Sequence, residues 1–363
     1  MSTALVCDIP AIKAPQDELR ARAWAAREAL GDRLIVLGHH YQKDEVIEFA
    51  DVTGDSFKLA KLGAEAEAEL IVFLGVYFMA ESADVLAREG QHVVLPDLSA
   101  GCHLAECADI YTVTDAWEQM TAALPGRRII PITYMNSDAV LKAFCGERGG
   151  AVCTSGNAAE VFEWAMREGD GIFFFPDEHL GRNVGCDMGF AAESMPVWDP
   201  RKAALGGSTA QQLIDAPVIL WKGFCNVHTN FTAAQIAEHR RNHPDVRVIV
   251  HPECPRPTVL AADEAGSTEY IIRRCEELPS GSTIAIGTDL NLVYRLRDAH
   301  PDKTIFPVLD SICPCITMNR IDLPKLTGTL EALVAGEVPN VVTVDEEVSR
   351  WARIALDRML ALG

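Results

Sequence analysis

VRVIVHPEC, residues 246–254, runs from apolar, β-branched residues straight into His251, Pro252, Glu253 and Cys254. Such a run suits a strand buried on both faces of a parallel sheet, and ligands of such sheets bind beyond the carboxyl ends of the strands. Two other stretches have the same character: RLIVLGHHYQ at 33–42 and RRIIPITYMNS at 127–137. Three strands that end in reactive side chains point to a repeated unit.

The rest of each copy supports this. A hydroxyl-bearing triplet follows each strand: Gly54-Asp55-Ser56, Cys153-Thr154-Ser155 and Gly266-Ser267-Thr268. Helix-compatible sequence comes next, then a second apolar run with a polar end (LIVFLGVYFMAES, GIFFFPDEHLG, TIAIGTDLNLVYRL), then a third strand that delivers a cysteine. Those cysteines are Cys102, Cys225 and Cys313, lying 63, 91 and 62 residues beyond His39, Tyr134 and His251. The longer middle copy carries a Gly- and Pro-containing insert at 181–208. The expected fold is α/β, with three pseudo-symmetric repeats of a small parallel-sheet αβα unit arranged around a central site. The expected domains are 1–113 with an N-terminal helix, 114–230, and 231–363 with a C-terminal helix. DELRARAWAAREAL and DEEVSRWARIALDRMLAL, the latter with Val348, Trp351, Ala355, Leu356 and Met359 at helical spacing, are the two terminal helices.

Composition narrows the function. The 363 residues are 48% hydrophobic and 23% charged with a formal net charge of −20, so no basic surface is available for nucleic acid or anionic lipid. No signal-peptide pattern opens the chain and no apolar stretch reaches membrane-spanning length, so a soluble cytoplasmic protein is expected. Eleven cysteines, an odd number with no C-x-x-C pair, read as thiols or metal ligands rather than disulfides. Three thiolates brought together from separate repeats would hold a 4Fe-4S cluster with one iron left open, a Lewis acid rather than an electron carrier.

The motifs GHHYQKDE, GDSFKLA, AGCHLAE, TYMNS, VCTSGNA, FFPDEHLGRN, GFCNVH, HPEC, GSTEYI and CPCITMN, in this order from about residue 33 to 321, resemble the quinolinate synthase family. The resemblance implies condensation of iminoaspartate with dihydroxyacetone phosphate to quinolinate, with loss of phosphate and two waters, on the route to NAD. It also implies three pseudo-symmetric α/β domains around one three-cysteine 4Fe-4S cluster, and functional coupling to the enzyme that supplies iminoaspartate. Carried over by motif, the cluster ligands are Cys102, Cys225 and Cys313. Substrate contacts come from His39, Ser56, Tyr134, Met135, Asn136, Ser155, His251, Pro252, Glu253 and Thr268. Glu253, Tyr41, Tyr134 and His228 are the acid–base candidates.

Plainer readings stand beside these. A hydroxyl ahead of a helix is ordinarily an N-cap, worth about 1 kcal/mol to the helix, and only the triple recurrence makes Ser56, Ser155 and Thr268 binding candidates, where helix starts would replace basic side chains for anions. The remaining cysteines read as small buried hydrophobes. Cys315 competes with Cys313, and the family frame Cys-Pro-x-x-x-Met-Asn selects Cys313. His40 neighbours His39 on a strand and should face away from it. A zinc-dependent hydrolase or lyase using Cys225, His228, Cys313 and Cys315 is the alternative enzyme, since thiolate does not by itself choose between zinc and iron. A non-enzymatic phosphosugar-binding module is the other rival.

Overall fold

The computed structural model describes residues 12–311 and 314–363. The first sheet holds β1 (Leu34–His39), β2 (Val52–Gly54), β3 (Leu70–Leu74) and β4 (His92–Val94). The second holds β5 (Ile129–Tyr134), β6 (Ala151–Cys153), β7 (Gly171–Phe175), β8 (Val197–Trp198) and β9 (Val218–Trp221), and the third β10 (Arg247–Val250), β11 (Glu264–Ala265), β12 (Thr283–Gly287) and β13 (Thr304–Pro307). A short β14 (Val341–Val342) returns antiparallel onto β4.

The shared topology is visible in the strand orders, β4-β3-β1-β2, β9-β7-β5-β6 and β13-β12-β10-β11. In each copy the second strand flanks the first, which pairs with the third, which pairs with the fourth, all parallel. Additions sit only outside the fourth strand: β14 on β4, and β8 on β9. The chain divides into two compact units. Residues 12–102 with 314–345 carry the first sheet; 103–311 with 346–363 carry the second and third.

The three α/β repeats read from the sequence are therefore present, with two differences. Each copy has four core strands, because a strand of two or three residues (β2, β6 or β11) precedes the hydroxyls; such a segment is too short to show a period. The insert at 181–208 is not merely a loop, since its first residues belong to the helix Glu178–Asp187 and Val197–Trp198 adds a strand to the second sheet.

Every residue of β3, β5 and β7 is buried, which is why these strands read as unbroken apolar runs. Helices return between them, started by side-chain caps such as Asp55, Asp177, Ser267 and Asp289. A carboxylate clamps the first strand of two copies in the same way. Asp51 Oδ2 accepts from Val36 N at 2.7 Å while Asp51 N donates to Val36 O at 2.8 Å; Asp263 does the same to Val248 at 2.7 and 2.9 Å. Each is also paired with an arginine, Arg27 and Arg240 respectively.

Both terminal helices form. Gln16–Leu30 joins Leu323–Val334 through a two-pronged Arg22–Glu331 ion pair at 2.8 and 2.7 Å. Glu346–Leu362 buries Ala352, Ala355, Leu356 and Met359 and crosses Ala139–Glu147 so closely that a Cβ on Gly146 would meet the Trp351 carbonyl. Only glycine fits at that crossing. Among the described residues no helix is long and apolar enough to cross a membrane.

Candidate active site

Glu253 follows the last residue of β10 by three positions and is 3% exposed. Tyr134, the last residue of β5, donates its hydroxyl to Glu253 Oε1 at 2.6 Å. His228 Nδ1 lies 2.8 Å from Glu253 Oε2, and its Nε2 lies 3.2 Å from Thr288 Oγ1 at the end of β12. The His251 ring stacks on His228 with centroids 4.4 Å apart and planes 16° from parallel. Tyr134, His228, His251, Glu253 and Thr288 are all buried. One carboxylate thus gathers groups from two sheets, and both ends are strand carboxyl ends, as parallel topology requires.

Burial would raise the Glu253 carboxyl, but His228, His251 and the Tyr134 hydroxyl outweigh it and hold the group below the ordinary carboxylate range. The same burial, then the Glu253 charge and the hydrogen bond to it, push Tyr134 well above 10, so it stays a phenol. Burial, then His228, lowers His251 to about 3, so its imidazole is neutral at pH 7. The geometry agrees: His251 Nδ1 accepts from Glu253 N at 3.4 Å, which leaves the ring proton on Nε2. Asp177 caps the helix Glu178–Asp187 through Oδ1, at 2.8 Å from His179 N and 2.9 Å from Leu180 N. Burial, then the charge of Glu253, pushes its carboxyl well above 3.8. Two carboxyls of this interior are thus pushed in opposite directions, Glu253 down and Asp177 up.

The remaining predicted residues of the second unit lie close in sequence to this cluster. Met135 is buried and donates its N–H to Cys153 O at 2.8 Å; Asn136 beside it is half-buried. Ser155 hydrogen-bonds the Tyr134 side chain and is half-buried. Thr268 is buried and opens the helix Thr268–Glu277, and Pro252 sits between His251 and Glu253.

In the first unit His39 closes β1, is 5% exposed, and accepts from Tyr41 N at Nδ1, 3.2 Å away. The Tyr41 ring meets His39 edge-on at 4.7 Å. His40 is buried as well, at 8%, so the alternation expected along a strand does not carry it to solvent; it stands in the turn just past the last strand residue. Ser56 is half-buried and is the first residue of the helix Ser56–Glu65.

The N-cap reading of the three hydroxyls does not hold. Asp55 caps the helix begun by Ser56, accepting from Phe57 N and Lys58 N, and Ser267 caps the one begun by Thr268, accepting from Tyr270 N. Ser155 stands ahead of Asn157, the residue at the cap of Ala158–Glu168. Asp55 and Ser267 do the capping in two copies and Asn157 holds the cap position in the other, so that role does not account for Ser56, Ser155 or Thr268.

Cys102 and Cys225 are half-buried thiols, while Cys313 lies outside the described residues. The cysteine segments share a register. Cys102 stands three residues before the turn Ala105–Cys107 and seven before the cap Asp109; Cys225 three before His228–Asn230 and seven before the cap Thr232. In the third copy the residue so placed is Cys315, ahead of Met318–Arg320 and the cap Asp322. By contrast, burial raises the thiols of Cys145, Cys153, Cys254 and Cys275, the last to about 12, which makes them poor thiolate ligands.

Ligand atoms of Cys225, His228 and Glu253 lie within 4.8 Å of one another, so a metal group fits here by donor chemistry. Both nitrogens of His228 are already engaged, by Glu253 and Thr288, and the Glu253 oxygens by His228 and Tyr134. Cys225 supplies the thiol donor of this trio, His228 the imidazole and Glu253 the carboxylate. Thr288 was not anticipated; its position in IGTD, the β12 counterpart of FFPD after β7, was the signal.

A parallel-sheet α/β protein with a carboxylate, a phenol and two histidines converging at buried strand ends, beside a candidate thiolate ligand, is an enzyme in class. Residues 24–361 match the family model described as quinolinate synthetase A protein. Curated proteins named quinolinate synthase are similar along nearly their whole length. That of Corynebacterium glutamicum is 52% identical over 351 residues, 96% of this chain and 89% of the relative. That of a Nocardioides species is 53% identical over 363 residues, 98% and 91%, and that of Geobacillus kaustophilus 51% over 349 residues, 96% and 94%. The chain belongs to the quinolinate synthase family and is an enzyme. The zinc hydrolase or lyase alternative and the non-enzymatic rival gain no support from these relatives.

Proposed function

We propose that this chain condenses iminoaspartate with dihydroxyacetone phosphate to quinolinate, releasing phosphate and two waters, as a cytoplasmic step of NAD biosynthesis. The observation that carries the reading is the buried Glu253 carboxylate with Tyr134, His228 and His251 upon it. Glu253 accepts protons lost from the condensing carbons and hydroxyls, and His228 and Tyr134 hold its two oxygens in place. Neutral His251, with its proton on Nε2, donates to a substrate carboxylate together with Asn136, Ser155 and Thr268. Met135 and Pro252 shape the wall. In the first unit His39, Tyr41 and Ser56 take the corresponding substrate-binding and acid–base roles, so the borders at 113/114 and 230/231 divide the chain into functional repeats. Iminoaspartate hydrolyses in water, which favours coupling to the enzyme that supplies it.

Cys102, Cys225 and one thiol of the Cys313/Cys315 pair would hold a single 4Fe-4S cluster, which when bound supplies a Lewis-acidic iron. The family frame points to Cys313 as the third ligand, and the repeat register favours Cys315. Iron content after anaerobic purification decides. Cys102→Ser and Cys225→Ser should lose most iron. Loss in Cys315→Ser with retention in Cys313→Ser supports the register, and the reverse supports the frame. For the function itself, the iron-replete protein is given both substrates. Quinolinate, read by its ultraviolet absorbance, is expected; its absence would overturn the proposal.

A further inference from the structure

Asn183 lies one and a half turns into the helix that follows β7, within the second unit, and is 1% exposed. Its Nδ2 donates to Pro252 O and to Cys254 O, both at 2.8 Å. Those two carbonyls flank Glu253 on its two sides. A side-chain amide has two N–H groups in one plane, so it can hold two peptide planes at once, and a flipped amide would set its oxygen against two carbonyls. The other end of Asn183 is unusual: Oδ1 is buried and has no hydrogen-bond partner among the described residues. An apolar residue would avoid that orphan acceptor but would strand the Pro252 and Cys254 carbonyls, so the asparagine is tied to what its two donors hold in place.

The rest of the Glu253 turn leaves room for such a device. His251 N donates to Gly287 O and Cys254 N to His251 O, each at 3.0 Å. These bonds anchor the turn through backbone N–H groups of His251 and Cys254, and the carbonyls of Pro252 and Cys254 are held from the neighbouring repeat. We propose that Asn183 is a positioning residue for the reaction: it fixes the backbone on both sides of Glu253 and thereby aims the carboxylate between Tyr134 and His228. This rests on Glu253 being the catalytic base.

The test uses iron-loaded full-length enzyme and four proteins: wild type, Asn183→Leu, Glu253→Gln and the double variant. Asn183→Leu keeps the branching of the side chain, is somewhat larger, and removes both donors. It should retain the cluster and a cooperative fold, with a melting temperature lowered by a few degrees for the two freed carbonyls, lower kcat about a hundredfold, as a misplacement of about 1 Å does, and change KM little. Asn183→Gln, which keeps the amide on a longer arm, should recover part of kcat. In the Glu253→Gln background the leucine substitution should cost no further activity, because the group it positions is already gone. A stable Asn183→Leu with wild-type kcat overturns the proposal, as does an additive loss in the double variant. If the leucine variant does not fold, the Gln variant carries the test, and a loss of kcat that persists additively in Glu253→Gln is again fatal. Full activity in Glu253→Gln alone would instead sink the functional reading on which this rests.

Discussion

The ends of β1 and β10 are built alike and differ in the two side chains that follow the histidine, His40 and Tyr41 against Pro252 and Glu253. Each strand is clamped by a carboxylate fifteen residues on, Asp51 or Asp263, and each ends at a buried histidine, His39 or His251. Each histidine accepts, at Nδ1, the backbone N–H two residues later, at 3.2 and 3.4 Å. The residue that donates is Tyr41 in one and Glu253 in the other, half-buried and buried respectively. The backbone turn and the histidine tautomer are thus scaffold, and the group two positions on is where the copies part. A phenol gives and receives a hydrogen bond; an ionised carboxylate only receives. One turn presents two kinds of hydrogen-bonding group.

The most severe way to break this comparison is to neutralise each end. Glu253→Gln should lower kcat about 10³-fold and Tyr41→Phe about 10²-fold, both with the cluster retained, as expected for an essential base and a supporting acid. Equal losses, or the reverse order, would mean that the two ends are interchangeable. A middling effect concerns the clamps. Asp51→Ala and Asp263→Ala each remove one charge-assisted bond to a strand N–H that is part-buried, and each should cost about 1–2 kcal/mol in urea unfolding. A large inequality would show that only one clamp is structural.

The mildest effect lies at the third-strand ends, where Asp177 caps a helix in the second copy and Val76 occupies the corresponding site in the first. Burial raises the Asp177 carboxyl well above 3.8, so its folded form keeps a proton that the unfolded chain has lost. Its contribution is fully present below pH 3.8 and fades as pH rises toward the folded value. Asp177→Asn keeps the capping oxygen and cannot titrate. The variant should match wild type in urea unfolding near pH 4 and be more stable than it at pH 8; a difference that shrinks with pH would refute the raised carboxyl.

How much of this was legible follows from the physics of each element. The first and third strands showed because burial on both faces demands unbroken apolar runs, as in β3 and β7. The strands β2, β6 and β11 did not, because two or three residues carry no period and are made by pairing. Glu253, His251 and Tyr134 were visible as chemistry piled at strand ends. Thr288 was not, since a threonine after a strand is commonplace, and Asn183 showed only as the end of the motif FFPDEHLGRN, its hold on the Glu253 turn being a matter of tertiary packing. For the third cysteine the two signals diverge: the motif frame selects Cys313, and register to a short turn and its cap selects Cys315.

The strand that leads into the chemistry is never at the margin of its sheet: β1, β5 and β10 each have a partner on both sides. Extra length has been accommodated on the far flank, where β8 and β14 attach. A sheet arranged this way can lengthen its loops and termini while its reactive ends stay in register, because growth at the rim does not shift the keel.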